Sequence, residues 1–183
     1  ASEEIVNALF GYGSFSKEDV NLTADALKYF GYGVPAFALV KILSNFFFAR
    51  DDTKTPFYIS ITIVIINILI SLTLFSRFGF IIIPIATSIS TWCGVLFYIY
   101  FLNQKNFLLL NINLIPNFLK ITVSTIIMSF ILTVVLNKYA AYLDYTYKFK
   151  SIYLLSIVCF TGVVYLLSCF LFGILNIKNY KTN

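Results

Sequence analysis

Five apolar stretches fill most of this chain, and each is long enough to cross a lipid bilayer. Only short polar turns separate them. The hydrocarbon core is about 30 Å thick, so a helix needs roughly 20 mostly apolar residues to cross it. Residues 22–49, 56–76, 79–102, 117–137 and 151–175 meet that requirement. Lipid offers the backbone no hydrogen-bond partner, so each crossing is expected to be helical. The reading is an all-α, polytopic transmembrane helix bundle of about five spans.

Composition narrows the function classes. Hydrophobic residues make up 60% of the 183 residues and charged residues 11%, too apolar a mix for a water-soluble domain. Many of the aromatics sit near span ends. Tyr98 and Tyr100 close the third span, and Tyr139, Tyr142, Tyr145 and Tyr147 crowd the loop after the fourth. Amphipathic rings suit the lipid–water interface; stacking on a ligand is the rival use. The net charge of +5 comes without a basic stripe interleaved with aromatics, which fits topology and anionic lipid and argues against nucleic acid. Cys93, Cys159 and Cys169 lie inside spans without CxxC spacing, and the chain has no His. A Cys/His nucleophilic pair and a structural zinc site are therefore excluded within this chain. No catalytic residue, metal ligand or cofactor is assigned, and the cysteines are read as small packing residues. The acidic start, with Glu3 and Glu4, is unlike a signal peptide, and the chain is expected to be a piece of something longer.

In residues 1–21, Ile5, Val6, Ala8, Leu9 and Phe10 read as the tail of a preceding helix that breaks at Gly11 and Gly13. Ser16 stands three residues before Asp19, an approximate capping box, and Lys17, Glu18 and Asp19 suit a first helical turn. The first span contains Gly31, Gly33 and Pro35. Proline removes a helix hydrogen bond and kinks the axis, and glycines let helices approach closely. These three serve either packing or a hinge. Lys41 lies about 8 residues before the next polar turn, roughly 12 Å along a helix. A cation at that depth costs about 3 kcal/mol on insertion scales. Its long stem either snorkels to the interface or presents the ammonium to a watery cavity.

Arg50-Asp51-Asp52-Thr53-Lys54-Thr55-Pro56 is the most distinctive polar turn. Neighbouring carboxylates on a turn do not aim at one point and no third acid is near, so helix capping or ionic closure of a gate is preferred over a metal site. Asn67 in the second span, and Thr87, Ser88, Ser90 and Thr91 in the third, suit hydrogen bonds between helices or the lining of a cavity. Residues 103–116 are too short to span and could lie in the interface. The last two spans are nearly free of charge apart from Lys120. The basic residues other than Lys41 divide evenly between the two sides, so the positive-inside rule does not orient the chain. Acids favour the side holding residues 1–21, which leaves residues 50–55 on the side read as cytoplasmic.

Several segments match a known pattern in order. Leu9-Phe10-Gly11-Tyr12-Gly13-Ser14-Phe15-Ser16-Lys17-Glu18-Asp19 resembles the Leu-Phe-x-x-Gly-x-Phe-Ser/Thr-x-x-Asp loop of the MurJ (MviN) lipid II flippases. Val40-Lys41 and Phe48-Ala49-Arg50-Asp51-Asp52-Thr53-Lys54-Thr55-Pro56 look like that family's Val-Lys and Phe-Tyr/Phe-Ala/Ser-Arg-x-Asp-x-Lys-Thr-Pro segments. Asn67 and Ala86-Thr87-Ser88 also fall where the family carries Asn and Ala-Thr-Ser. The match runs from residue 5 to about 102; beyond that only hydropathy and span count agree. One departure is Ile81-Ile82-Ile83-Pro84-Ile85, where the family has Gly and small residues.

The resemblance implies the multidrug/oligosaccharidyl-lipid/polysaccharide exporter fold, with two six-helix lobes around a cavity and two added helices, fourteen in all. This chain looks like its carboxy-terminal portion. Residues 1–21 would be the end of a preceding helix and an extramembrane loop, and 22–102 three spans completing the second lobe. Residues 103–116 would be an interfacial connector, and 117–183 two final spans with a short polar tail. The implied task is flipping lipid II, a polyprenyl-pyrophosphate-linked disaccharide-pentapeptide, across the bacterial inner (plasma) membrane for peptidoglycan and cell-wall synthesis. That makes the chain part of a multi-pass transporter and not an enzyme. Membrane lipid and the missing amino-terminal portion are its other partners, and coupling to membrane potential or an ion is open. Lys41 and Asn67 are the cavity candidates; Arg50, Asp52 and Lys54 the cytoplasmic gate or cap; Gly31, Gly33 and Pro35 the hinge. The last two spans would form an apolar groove for the polyprenyl tail. The family's pyrophosphate-gripping residues lie outside this chain. The alternatives are a related polysaccharide or drug exporter, a non-catalytic scaffold of the cell-wall machinery and, weakest, a membrane phosphotransferase.

Overall fold

A computed structural model describes residues 1–107, 114–145 and 147–174, with the backbone alone at 114 and 115. Its helices are α1 (Ser2–Phe10), α2 (Lys17–Phe48), α3 (Lys54–Phe78), α4 (Ile82–Gln104), α5 (Leu114–Lys138) and α6 (Lys150–Leu171). Short 3-10 turns occupy Gly79–Ile81 and Ala140–Leu143, and no strand occurs among the described residues. The segments long and apolar enough to cross a membrane are Lys17–Phe48, Lys54–Gln104, Pro116–Lys138 and Lys150–Leu171. The second, at 51 residues, divides at Gly79 into α3 and α4. Each expected span therefore overlies one helix. Residues 108–113 of the connector, and 175–183, which hold the end of the fifth span and the expected polar tail, lie outside the described residues.

Local chemistry sets the helix ends. α2 starts at Lys17, five residues before the expected span, because Ser16 and Asp19 cap each other: the Ser16 amide donates to the Asp19 carboxylate at 2.9 Å and the Asp19 amide to Ser16 Oγ at 3.2 Å. Three helices stop in one way. After α2 the Asp51 amide bonds the Phe48 carbonyl and the Asp52 amide the Phe47 carbonyl, with Asp51 at φ 56°. Asn106 repeats this after α4 with φ 55°, and Gly173 after α6 with φ 67°. These are Schellman caps, in which a left-handed residue folds the chain back onto the last free carbonyls. Gly79, at φ 64°, permits the reversal between α3 and α4.

The helices gather into two compact units, one of Ala1–Asn21 with Leu110–Asn183, the other of Leu22–Leu109. In the second unit α3 and α4 run antiparallel: Asn67 meets Thr87, Ile63 meets Gly94, and Ile59 lies in a core with Tyr98. A Cβ on Gly94 would come within 2.3 Å of Ile63, and one on Gly33 within 2.7 Å of Ser88. Small residues thus set the helix spacing, as expected where lipid supplies no hydrophobic drive between helices. Phe47, Ile59, Tyr98 and Leu102 close the core at the charged-turn end. In the first unit Ala8 of α1 is wholly buried against Leu136, Leu143, Leu154 and Ile157. Large apolar side chains such as Leu72, Phe118, Phe130 and Leu171 are exposed, a surface suited to lipid.

Candidate functional site

The turn between α2 and α3 uses its charges unequally. Asp51 closes α2 through its backbone, as above. Asp52 opens α3: its carboxylate accepts the Thr55 amide at 3.0 Å and the Thr55 hydroxyl at 2.8 Å. The same carboxylate pairs with Lys105 from the end of α4 at 2.5 Å, and that ammonium also reaches Thr55 Oγ1 at 2.9 Å. The Lys105 bond, followed by the Thr55 amide, holds the Asp52 carboxyl down at about 2. Arg50 turns elsewhere. It donates to the Phe46 carbonyl at 3.0 Å, and its guanidinium lies 4.5 Å from the centre of the Phe107 ring. Lys54 is exposed. Of the three gate candidates, only Asp52 therefore enters an ion pair among the described residues, and its partner is Lys105. In the sequence Lys105 reads only as one more basic residue on that side. Its position next to the Schellman-forming Asn106 is the signal available.

Lys41 projects from α2 on the face opposite the packing stripe. Gly33, Ala36 and Phe47 are buried, with Val40 partly so, whereas Gly31, Val34, Ala38, Lys41 and Asn45 are exposed. Those two rows follow the helical period and point in different directions. Asn67 is half-buried and donates to Thr87 Oγ1 at 2.9 Å, fastening α3 to α4. The hinge candidates separate. Gly31 faces open space, Gly33 packs on Ser88, and α2 continues through Pro35. Proline leaves the carbonyl one turn earlier without its helical donor. α4 contributes donors nearby: Ser88 Oγ to the Tyr29 carbonyl at 2.7 Å and Trp92 Nε1 to the Tyr32 carbonyl at 3.0 Å. These bonds tie α4 to the backbone on either side of Gly31, whose carbonyl is the one that Pro35 leaves without a helical donor.

The least expected residue is Lys150, the first residue of α6, which is completely buried. Its ammonium donates to Asn7 Oδ1 at 3.0 Å, the Gly11 carbonyl at 2.6 Å and the Tyr145 carbonyl at 3.0 Å. It also lies 4.4 Å from the Tyr12 ring centre and 4.7 Å from that of Tyr145. A lysine has three donors, and here all three end on neutral oxygens. In the sequence Lys150 reads as an ordinary loop charge. The hint is its place at a helix start, where a cation opposes the helix dipole.

Comparison with known proteins decides the family. The family model for the lipid II flippase MurJ matches residues 1–154. The chain belongs to the MurJ lipid II flippase family. It is 33% identical over 180 residues to a probable lipid II flippase MurJ of Rickettsia prowazekii (strain Madrid E), covering 97% of this chain and 35% of that protein. A probable lipid II flippase MurJ of Buchnera aphidicola subsp. Baizongia pistaciae (strain Bp) is 28% identical over 184 residues, covering 98% of this chain and 36% of its own length. A solved lipid II flippase MurJ in an inward closed conformation superposes with a TM-score of 0.71 and 24% identity, over 93% of this chain and 33% of that one. The chain thus spans little more than a third of the MurJ relatives it matches, and it shares their helical fold over nearly all its length. It is part of a multi-pass protein of the bacterial inner membrane.

Proposed function

We propose that this chain is the carboxy-terminal part of a transporter that moves lipid II from the cytoplasmic to the outer leaflet for cell-wall synthesis. The family match over residues 1–154 carries this reading. The physical problem is electrostatic: a pyrophosphate joined to a sugar-peptide cannot cross hydrocarbon unaided. A cavity between two lobes supplies cationic and polar partners, and rocking of the lobes exposes it alternately to each side. The protein changes no covalent bond in its cargo.

In this reading residues 22–102 complete the second lobe, and α5 and α6 are the last two spans. Lys41 presents its ammonium to the cavity, and the exposed row shared with Asn45 supports that direction. Asn67 supports the cavity wall by fastening α3 to α4. Asp52 and Lys105 form the cytoplasmic cap, with Arg50 and Lys54 as flanking cations. The turn around Gly31, Gly33 and Pro35 is the hinge, where Pro35 removes the helical donor to the Gly31 carbonyl. The last two spans hold the polyprenyl tail. The test is Lys41→Ala in the full-length protein. At equal expression, growth of a flippase-depleted strain should fall at least tenfold in plating efficiency; normal growth would remove the cavity role.

A further inference from the structure

We propose that Lys150 is a positioning residue, by which the last helix pair holds the segment Gly11–Val20 from which α2 starts. This goes beyond the transport reading and does not depend on the cargo.

Three observations converge. The first is electrostatic. Lys150 heads α6, where a cation opposes the dipole of its own helix. The carbonyl end of α1 compensates, because Asn7 and Gly11 come from its last turn and cap, and the Gly11 amide itself bonds the Asn7 carbonyl. The ammonium therefore serves α1 and the loop after it.

The second is the ring of contacts around the ammonium, which reaches the same loop from both sides. Asn7 Nδ2 donates to the Leu143 carbonyl at 2.7 Å. Tyr12 Oη and Ser151 Oγ lie 2.8 Å apart, and Ser151 Oγ also donates to the Ala8 carbonyl. Tyr145 Oη donates to the Phe15 carbonyl at 2.7 Å. Loop residues Gly11, Tyr12 and Phe15 are each tied to residues 145–151, and Lys150 sits at the centre of the set.

The third is steric. A Cβ on Gly11 would lie 2.4 Å from Asn7 Oδ1 and 3.0 Å from Lys150 Nζ. A side chain at residue 11 would crowd Asn7 first and the ammonium next, so glycine leaves the room that this cluster uses. Three residues beyond Gly13 the capping box begins, and Val20 in the first turns of α2 is buried to 2% exposure in the same unit. The capping box sets the residue at which α2 begins, and the lysine holds in place the loop that leads to it. The last helix pair has a role besides contact with lipid.

Local cysteine accessibility tests this in the full-length protein, with Cys93, Cys159 and Cys169 changed to alanine. Val20→Cys reports the start of α2; Ala86→Cys, equally buried but in the other unit, reports general unfolding. With Lys150 intact, a water-soluble maleimide should label neither position quickly. Adding Lys150→Met should raise the labelling rate at position 20 at least tenfold and leave position 86 unchanged. No rise at position 20 would overturn the proposal. Equal rises at both positions would overturn it too, by showing a general loss of fold.

Discussion

At the scale of single residues, the turn between α2 and α3 makes two predictions. Asp52 titrates well below an ordinary carboxylate, at about 2, because Lys105 and the Thr55 amide favour its charged form. An ordinary Asp titrates near 3.9. The folded protein therefore binds this proton less readily than the unfolded chain does. The stabilisation is complete above about pH 4 and is lost as the pH falls towards 2. In detergent, the thermal midpoint should drop over that interval, and Asp52→Asn should flatten part of the drop. An unchanged pH profile in the variant would refute the assignment. Asp51 makes the second prediction. It holds a left-handed conformation that costs a residue with a side chain roughly 1 kcal/mol. Asp51→Gly should raise stability by several tenths of a kcal/mol to about 1 kcal/mol, and Asp51→Val should lower it by about 1 kcal/mol or more. Thermal shift of the purified variants reads both signs.

At the scale of elements, the helices were legible because lipid leaves the backbone little choice: length and hydropathy sufficed to find the five long helices α2–α6. The capping box was legible too, since Ser16 and Asp19 act within one turn. Contacts across the sequence were not. Nothing local in Lys105 points to Asp52, and nothing in Lys150 points to Asn7, because ion pairs and cages depend on which helix ends meet. The glycines show the same limit. Packing, with a hinge as its alternative, was the reading the sequence allowed, and the structure gives Gly33 a packing contact while leaving Gly31 open. This difference predicts unequal costs. The nearest atoms to a Cβ on Gly94 all belong to side chains, Cδ1 and Cγ1 of Ile63 and Cγ2 of Val40, which can shift. A Cβ on Gly33 also meets the Ser88 backbone at 3.2 Å. Gly33→Ala should therefore cost about 1–3 kcal/mol through overpacking, and Gly94→Ala clearly less. Denaturation of both variants in detergent checks the order; equal costs would contradict the geometry.

At the scale of the whole molecule, the two units differ in how the chain builds them. One is a single stretch of sequence, whereas the other joins residues 1–21 to the carboxy-terminal pair across a long separation. Helices in a membrane can insert first and associate later, so such a unit does not require an unbroken chain. What it requires is contacts strong enough to recover the pairing. Apolar packing of Ala8 against Leu136, Leu154 and Ile157 supplies part of this, and the Lys150 ammonium supplies the specific part. Removing the ammonium leaves three acceptors unpaired at the joint, each worth roughly 1–3 kcal/mol when buried. Cutting the full-length gene within residues 108–113 and co-expressing the halves should therefore yield a complex that co-purifies in mild detergent. Lys150→Met should reduce recovery of the carboxy-terminal half at least tenfold. Lys120→Met, at the far end of α5, should leave recovery unchanged. Equal recovery with and without Lys150 would mean that apolar contact alone joins the pair, and the buried cation would then have no part in assembly.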